Sequence, residues 1–274
     1  MTQPKSRERA GRVARASSSR YPHEAIDLHI HTHFSECTHK PTKPPMTVEN
    51  IVRKAEESGY ETIGLCDHIH KGSDTSIVER LREEVGKLKP NIRVLVGCEA
   101  DVISPSEVSV RADFASRVDF IALAATHYQM PWVQIPLSTD PSEVANHYVE
   151  MFAKAVNTDF VDIIAHPFCT HDAILGNMPV ILAKILDDDL IELLEIAKTN
   201  RIAMELTPKV FNPLNDGCLI RFYKLCKQVG VKISLGSDSH TVNGIGRLSL
   251  VLDRAARIGL DPSDFLLPHA LSHP

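Results

Sequence analysis

Residues 25–33 read Ala-Ile-Asp-Leu-His-Ile-His-Thr-His, a short apolar run that ends in three histidines. The run Ala25–Ile30 has the length and composition of a buried strand. In a strand, alternate side chains share a face, so Asp27, His29 and His31 are expected on one side. Two imidazoles on one face can bind one metal ion. The stretch therefore predicts a strand with a metal-binding end.

Further apolar runs follow along the chain and alternate with amphipathic helical stretches. The predicted strands are Ala25–Ile30, Glu61–Cys66, Ile92–Cys98, Asp119–Ala125, Val161–Ala165, Arg201–Leu206 and Val231–Leu235. The predicted helices are Thr47–Ser58, Ile77–Lys89, Ser142–Val156, Pro179–Lys198, Gly217–Val229 and Arg247–Ile258, with a hairpin or turn in Val102–Val118. This alternation is typical of βαβ units around a parallel sheet, and it predicts an α/β fold with a closed or nearly closed barrel.

The composition fits one large domain with an aliphatic core. Apolar residues make up 43% of the 274 residues and aromatic residues only 5%, which suits strands buried on both faces. Barrels of this size form single domains, so one domain is predicted for residues 21–274. We expect a soluble, cytoplasmic protein with reduced thiols, because neither a membrane span, nor a secretory signal, nor a CxxC pair is visible.

Charge is distributed unevenly along the chain. Residues 1–20 carry a net charge of +5 in a chain of −5, so the remainder carries −10. The first twenty residues also lack an apolar pattern that could pack, which predicts a disordered basic tail. The acidic remainder argues against a long nucleic acid as the ligand.

Every predicted strand ends in residues of metal-binding types. After the second to seventh strands these are Cys66-Asp67-His68, Gly97-Cys98-Glu99, Thr126-His127, Ala165-His166-Pro167, Glu205 and Ser237-Asp238-Ser239-His240. A single residue of this kind more often caps a helix or forms a hydrogen bond. Seven in succession, at the strand ends where barrel enzymes place their sites, indicate a metal-dependent hydrolase.

These motifs resemble those of the PHP (polymerase and histidinol phosphatase) phosphoesterases. The resemblance covers nearly all of residues 25–240, through Asp27-Leu-His29-Ile-His31-Thr, Cys66-Asp67-His68, Gly97-Cys98-Glu99-Ala-Asp101, Thr126-His127, Ala165-His166-Pro167 and Gly236-Ser237-Asp238-Ser239-His240. It implies a distorted seven-stranded (β/α)7 TIM-like barrel that binds up to three metal ions. It also implies hydrolysis of a small-molecule phosphate ester, such as histidinol phosphate, by water activated at the ions.

The resemblance further implies a set of metal ligands. The first ion would be held by His29, His31 and Asp238, with Glu99 bridging it to another ion. The second would be held by His68 and His240, and the third by His127, His166 and Glu99.

The second ion usually has a further ligand in this family, and here three residues compete for that role. The place six residues past His31 is Cys37, and Glu36 and His39 lie close to it. A carboxylate, a thiolate and an imidazole are all acceptable chemically. We prefer His39, because a short extension of a surface loop costs little.

Residues that act on the substrate are less marked in the sequence. Lys71, Lys209 and Arg247 are candidate phosphate contacts, and His33 and His171 are candidate proton donors. Asp27 and Asp67 are expected to orient ligating imidazoles through the second ring nitrogen. Glu205 is expected either to face the cavity or to hold a loop.

Two to three divalent ions are expected, and imidazole with carboxylate suits Zn²⁺, Mn²⁺ and Fe²⁺ alike. Three alternatives to a small-molecule phosphoesterase stay open. An amidohydrolase barrel also begins with His-x-His, but it normally has eight strands and often a bridging lysine. A nuclease or nucleotide phosphoesterase would act on a short oligonucleotide or a nucleotide, and a barrel that binds metal without turnover would be no enzyme.

Overall fold

The computed structural model describes residues 25–38, 43–168, 178–211 and 216–271. The predicted basic tail, residues 1–20, and the predicted domain start at residue 21 lie outside the described residues. Within the described part of the chain, no helix combines the length and the apolar character that a membrane span requires.

Strands in the described residues form one sheet that curves back on itself. In chain order they are β1 (Ile26–Ile30), β2 (Thr62–His68), β3 (Arg93–Ser104), β4 (Glu107–Val108), β5 (Ile121–Ala124), β6 (Ile163–Ala165), β7 (Ala203–Leu206) and β8 (Ile233–Leu235). Seven of them run parallel in the order β1-β2-β3-β5-β6-β7-β8, and β4 pairs antiparallel with β3. Ile30, at the end of β1, forms a parallel bridge with Ser239, just after β8. The sheet is therefore nearly closed into a barrel, as the sequence predicts.

Helices connect the parallel strands, and a further helix follows β8. They are α1 (Val48–Ser58), α2 (Ile77–Leu88), α3 (Ala112–Ala115), α4 (Pro141–Val156), α5 (Met178–Leu182), α6 (Asp187–Thr199), α7 (Asp216–Val229) and α8 (Ser249–Ile258). Local chemistry fixes several ends. The Thr47 side chain accepts a hydrogen bond from the backbone N–H of Asn50 at the start of α1, and Gly59 ends this helix with a φ of +80°.

Two elements differ from the prediction. Strand β3 continues past Cys98 to Ser104, because its last residues pair with β4 in the hairpin expected within residues 102–118. The single helix predicted over residues 179–198 is divided into α5 and α6. Leu186, with an extended backbone (φ −75°, ψ 150°), precedes α6, and three aspartates form its first turn. Carboxylates at that position favour a new helix N-terminus.

The barrel interior is filled by strand residues at alternate positions. Cys66, Leu95, Phe120 and Ala122 belong to one buried cluster. A second, larger cluster joins the other faces of the strands to the helices. Glu99 lies four residues after Leu95 on β3, and alternation therefore directs it into the same interior.

Gly97 permits the close approach of the Phe120 ring. A Cβ at Gly97 would lie 2.5 Å from Cε1 and Cζ of Phe120. The Phe120 side chain is fully buried, so it has no free space into which it can move. We expect Gly97→Ala to lower the free energy of unfolding by about 2 kcal/mol or more. Gly86→Ala in α2, where a Cβ meets nothing within 4 Å, is the control and should be stabilising. Denaturant titrations measure both, and an unchanged midpoint for Gly97→Ala would contradict this packing.

Candidate metal centre

The C-terminal ends of the strands bring eight of the predicted ligands into one cluster. They are His29, His31, His68, Glu99, His127, His166, Asp238 and His240. The side chains of His29, His31 and Glu99 are at most 1% exposed. The register of β2 and β3 sets His68 beside Glu99. The strands therefore place these side chains together at one end of the barrel.

Glu99 lies at the centre of this cluster. Its Oε2 is 3.4 Å from Nε2 of His29, 3.4 Å from Nε2 of His31 and 3.0 Å from Nδ1 of His68; its Oε1 is 2.6 Å from Nε2 of His166 and 3.5 Å from Nε2 of His127. Burial acts to raise the pKa of Glu99, but the imidazoles of His68, His127 and His29 outweigh it and hold the pKa well below its usual range. Glu99 is therefore a carboxylate with both oxygens directed at imidazole nitrogens.

Asp238 joins the two histidines of β1. Its Oδ1 lies 3.1 Å from Nε2 of His31 and 3.9 Å from Nε2 of His29, and the two Nε2 atoms are 3.2 Å apart. Burial raises the pKa of an isolated carboxyl, yet the charges of His29 and His31 lower the pKa of Asp238 below its usual range. These three side chains form a group that can surround one cation.

Cys37 enters the cluster from a 3₁₀ turn that spans Glu36–Thr38. Its Sγ and one ring nitrogen each from His31, His68 and His240 all lie within 4.8 Å of one another. Burial acts to raise the pKa of the Cys37 thiol, but hydrogen bonds with His240, His31 and His68 outweigh it and lower the pKa to about 4.

Two further carboxylates contact the Nδ1 atoms of imidazoles whose Nε2 atoms face Glu99. Oε1 of Glu205 lies 2.8 Å from Nδ1 of His29, and its Oε2 accepts a 2.6 Å hydrogen bond from the backbone N–H of His166. Oδ1 of Asp101 lies 2.7 Å from Nδ1 of His127, and its Oδ2 accepts a hydrogen bond from Nε1 of Trp132. Carboxylates in this position fix the tautomer and ring orientation of a ligating histidine. Asp101 shares the strand face of Glu99, and that alternation could have identified it.

Asp27 and Asp67 act differently from the prediction. Asp27 accepts hydrogen bonds from the backbone N–H groups of Ser237 and His29, and thereby joins β8 to β1. Asp67 accepts from the Ser35 hydroxyl, whose oxygen lies 3.3 Å from Nδ1 of His31. Asp67 also accepts hydrogen bonds from the backbone N–H and the hydroxyl of Thr32. Within the part of the chain that the structure describes, Asp67 is therefore linked to the His31 ring through Ser35, and Asp27 binds backbone N–H groups.

Two of the clustered residues have left-handed backbones. His166 has a φ of +27° and Asp238 a φ of +49°, a region that non-glycine residues seldom adopt. Each follows the end of a strand, where the chain turns sharply and directs the side chain into the cluster. Such local strain is characteristic of functional sites, where the surrounding structure maintains it.

The structure separates the candidate substrate contacts. Lys209 lies at the cluster, with its Nζ 3.5 Å from Oδ2 of Asp238. In contrast, the Lys71 ammonium forms an exposed ion pair with Glu107. Arg247 is exposed. Nε2 of His33 lies 3.6 Å from Glu84 on α2. Lys209 therefore contacts the cluster, whereas Lys71 pairs with Glu107 at the surface.

Two of the predicted site residues, His39 and His171, lie outside the described residues. Glu36, which competed with His39 and Cys37 for the second metal, is exposed. Among the described members of that trio, Cys37 is the one grouped with the histidines.

Because Glu205 supports both His29 and His166, its charge should matter for metal affinity. We expect Glu205→Gln to weaken metal binding about 10- to 100-fold, since the amide cannot accept two charge-assisted hydrogen bonds. Glu192→Gln, on the exposed face of α6, is the matched control. Competitive titration against a chelating dye measures the affinity, and equal affinities for the two variants would contradict the role of Glu205.

The family model of the PHP domain matches residues 27–209. The chain belongs to the PHP family. The predicted resemblance is thus confirmed, and the match extends from Asp27 on β1 to Lys209 beside Asp238.

Curated relatives of this PHP chain are described as probable phosphatases. One from Acetivibrio thermocellus is 26% identical over 232 residues, which cover 82% of this chain and 83% of that protein. One from Caldicellulosiruptor bescii is 27% identical over 231 residues, with 82% and 83% covered. The family and these relatives confirm the predicted class, a metal-dependent phosphoester hydrolase.

A solved structure supports the fold. Histidinol phosphate phosphatase from Lactococcus lactis subsp. lactis, in complex with zinc, L-histidinol and phosphate, superposes with a TM-score of 0.59 at 17% identity. The match covers 89% of this PHP chain and 95% of that chain. The two proteins therefore share their architecture over nearly their whole length.

Proposed function

We propose that this chain hydrolyses small-molecule phosphate monoesters, with two to three divalent ions held in the cluster around Glu99. The observation that carries the proposal is the arrangement of this single carboxylate. Both of its oxygens face imidazole nitrogens, and these five imidazoles are supplied by the ends of four strands, β1, β2, β5 and β6, or by the residues that follow them.

The residues present fit such ions. Oε2 of Glu99 and Nδ1 of His68 are buried without a hydrogen-bond partner among the described residues, although they lie 3.0 Å apart. Leaving buried polar atoms unpaired costs about 1–3 kcal/mol each, and cations between them would remove that cost. Imidazole and carboxylate donors together suit Zn²⁺, Mn²⁺ and Fe²⁺.

The proposed assignment follows the family resemblance: one ion would be held by His29, His31 and Asp238, a second by His68 and His240, and a third by His127 and His166 with Glu99. The distances support the first of these sets directly, and they also group His166 with His29 and Glu99, and His127 with His68 and Glu99. Such ions supply positive charge that stabilises a phosphoryl group under attack and lowers the pKa of water.

The protein supplies position and further charge. The Lys209 ammonium, beside Asp238 and His240, is placed to contact a phosphate oxygen and to offset its charge. Glu205 and Asp101 hold the imidazole rings in one orientation, so that the cluster needs little rearrangement when substrate binds.

A cavity of about 650 Å³ opens beside the cluster, and Cys37 and His68 form part of its wall. Its size is that of a site for a small organic molecule. His70 and Trp132 also line the cavity, and their rings stack with centroids 4.2 Å apart. We assign this cavity to the leaving group of the ester.

A panel of esters tests the proposal. Purified protein loaded with Zn²⁺ or Mn²⁺ is assayed with p-nitrophenyl phosphate, bis(p-nitrophenyl) phosphate, short oligonucleotides, p-nitroacetanilide and a set of phosphometabolites. We expect the monoesters to be hydrolysed fastest and His166→Ala to lose metal and activity together. A preference for diesters or oligonucleotides would favour the nuclease alternative, and hydrolysis of the amide alone would favour an amidohydrolase. No turnover of any ester by metal-loaded protein would refute the proposal.

A further inference from the structure

Cys37 is an unusual member of an imidazole and carboxylate cluster. Its Sγ lies in one group with the ring nitrogens of His31, His68 and His240, all within 4.8 Å of one another. Among the described cysteines, Cys66, Cys98 and Cys226 are buried and Cys218 is half-buried, and none of these four belongs to a metal-binding group. The sulfur is therefore placed with the histidines by the 3₁₀ turn that follows β1.

His31 could belong either to this group or to the group that contains Asp238. Its Nε2 lies 3.1 Å from Oδ1 of Asp238 and 3.2 Å from Nε2 of His29. One ring nitrogen can bind only one ion, so His31 fits the group with Asp238. Cys37, His68 and His240 then remain as three ligands around a second position.

His68 gives a second indication that a cation belongs beside it. Its Nδ1 is buried without a hydrogen-bond partner among the described residues, and it lies 3.0 Å from Oε2 of Glu99, which also has none. The ring itself is partly open to the cavity that Cys37 also lines. Three protein ligands at the edge of a cavity resemble catalytic zinc sites, which keep the fourth position free for water or substrate.

We propose that Cys37 is a thiolate ligand of a zinc ion that it holds together with His68 and His240. This inference deepens the proposed function and rests on it for the presence of a second ion. A thiolate is a soft ligand that favours Zn²⁺ and Co²⁺ over Mn²⁺ and Mg²⁺. The Cys37 site therefore makes the chain a zinc enzyme at this position, although the rest of the cluster suits several metals.

Cobalt substitution tests the ligand without an activity assay. Cobalt bound by a thiolate shows a sulfur-to-metal charge-transfer band in the near ultraviolet, and imidazole and carboxylate ligands show none. We expect the band in the cobalt-loaded protein. Cys37→Ser should lose both the band and roughly one equivalent of bound metal. Cys37→Asp should lose the band but retain the metal, because a carboxylate replaces the thiolate. Cys218→Ser, the half-buried control thiol, should retain both.

Two results would overturn the inference. One is cobalt-loaded wild-type protein that shows no charge-transfer band, and the other is a band that persists in folded Cys37→Ser. Metal is counted by elemental analysis, and folding is checked by thermal melting. The spectra contain no substrate, so a protein inactive toward every ester can still show the band. The experiment therefore distinguishes a wrong assignment of Cys37 as a metal ligand from a wrong assignment of the chain as a phosphatase.

Discussion

Glu99→Gln is expected to abolish tight metal binding and to lower kcat/KM for a phosphate monoester by about 10³-fold or more. The amide keeps the size of the side chain but removes the negative charge that faces five imidazoles. One of its two polar ends is then an NH₂ group, which cannot bind a cation. Removing one partner of a buried charged network costs more than removing an exposed charge, because the remaining groups stay buried without compensation.

The matched control for this variant is Glu57→Gln, which makes the same chemical change on the exposed face of α1. Metal content by elemental analysis and kcat/KM are measured for both variants. Thermal melting with and without metal separates a folding defect from a binding defect. A Glu99→Gln protein that binds metal and turns over like the control would remove Glu99 from the centre of the site.

Gly236→Ala is expected to be nearly as damaging, although it introduces a single methyl group. A Cβ at this position would lie 2.0 Å from Oε1 of Glu205 and 2.6 Å from Cβ of His29. Both neighbours are at most 2% exposed, and Oε1 is the atom that orients His29. We expect a loss of about 2–4 kcal/mol in the free energy of unfolding and about 10²-fold weaker metal binding.

Gly217→Ala in α7 is the control for this substitution, because a Cβ there meets nothing within 4 Å. Denaturant unfolding and metal titration are carried out on both proteins. If Gly236→Ala binds metal with the affinity of the wild-type chain, the contact between Glu205 and His29 is not needed to orient His29 for metal binding.

The sequence predicts the barrel well because its strands are short apolar runs that end in polar residues. Each of the seven predicted strands overlaps an observed parallel strand, mostly within two residues at either end. The end of β3 is the exception, since residues 99–101 continue the strand by pairing with β5 and its last residues pair with β4. The sequence does not indicate the break before Asp187, because apolar residues continue across residues 183–186, where the backbone leaves the helical conformation.

The candidate site was predictable where a strand carries the ligand. The side chains of His68 and Glu99 lie on strands, and alternation directs them inward. On β1, Ile26 and Leu28 belong to the interior cluster and the register shifts between Asp27 and Ile30, so His29 reaches the site through this irregularity and not by simple alternation. Site residues on turns are harder to predict from the sequence, because a one-residue difference in a turn decides which side chain faces the cluster. The 3₁₀ turn that carries Cys37 and the exposed pair of Lys71 and Glu107 depend on such geometry, which no periodic pattern records.

Glu205 shows a further limit of sequence reasoning. A glutamate at a strand end can face the interior or hold a loop, and alternation alone left both open. The structure places its oxygens on His29 and on the backbone of His166. Only the packing of β7 between β6 and β8 brings these groups together.

Removal and return of metal tests the central claim most directly. The protein is stripped with a chelator, dialysed and assayed with p-nitrophenyl phosphate while Zn²⁺ or Mn²⁺ is added stepwise. The account predicts at least about 10³-fold loss of activity on stripping and recovery that saturates at two to three equivalents per chain. Full activity in the stripped protein, or no activity once ions are bound, would contradict it.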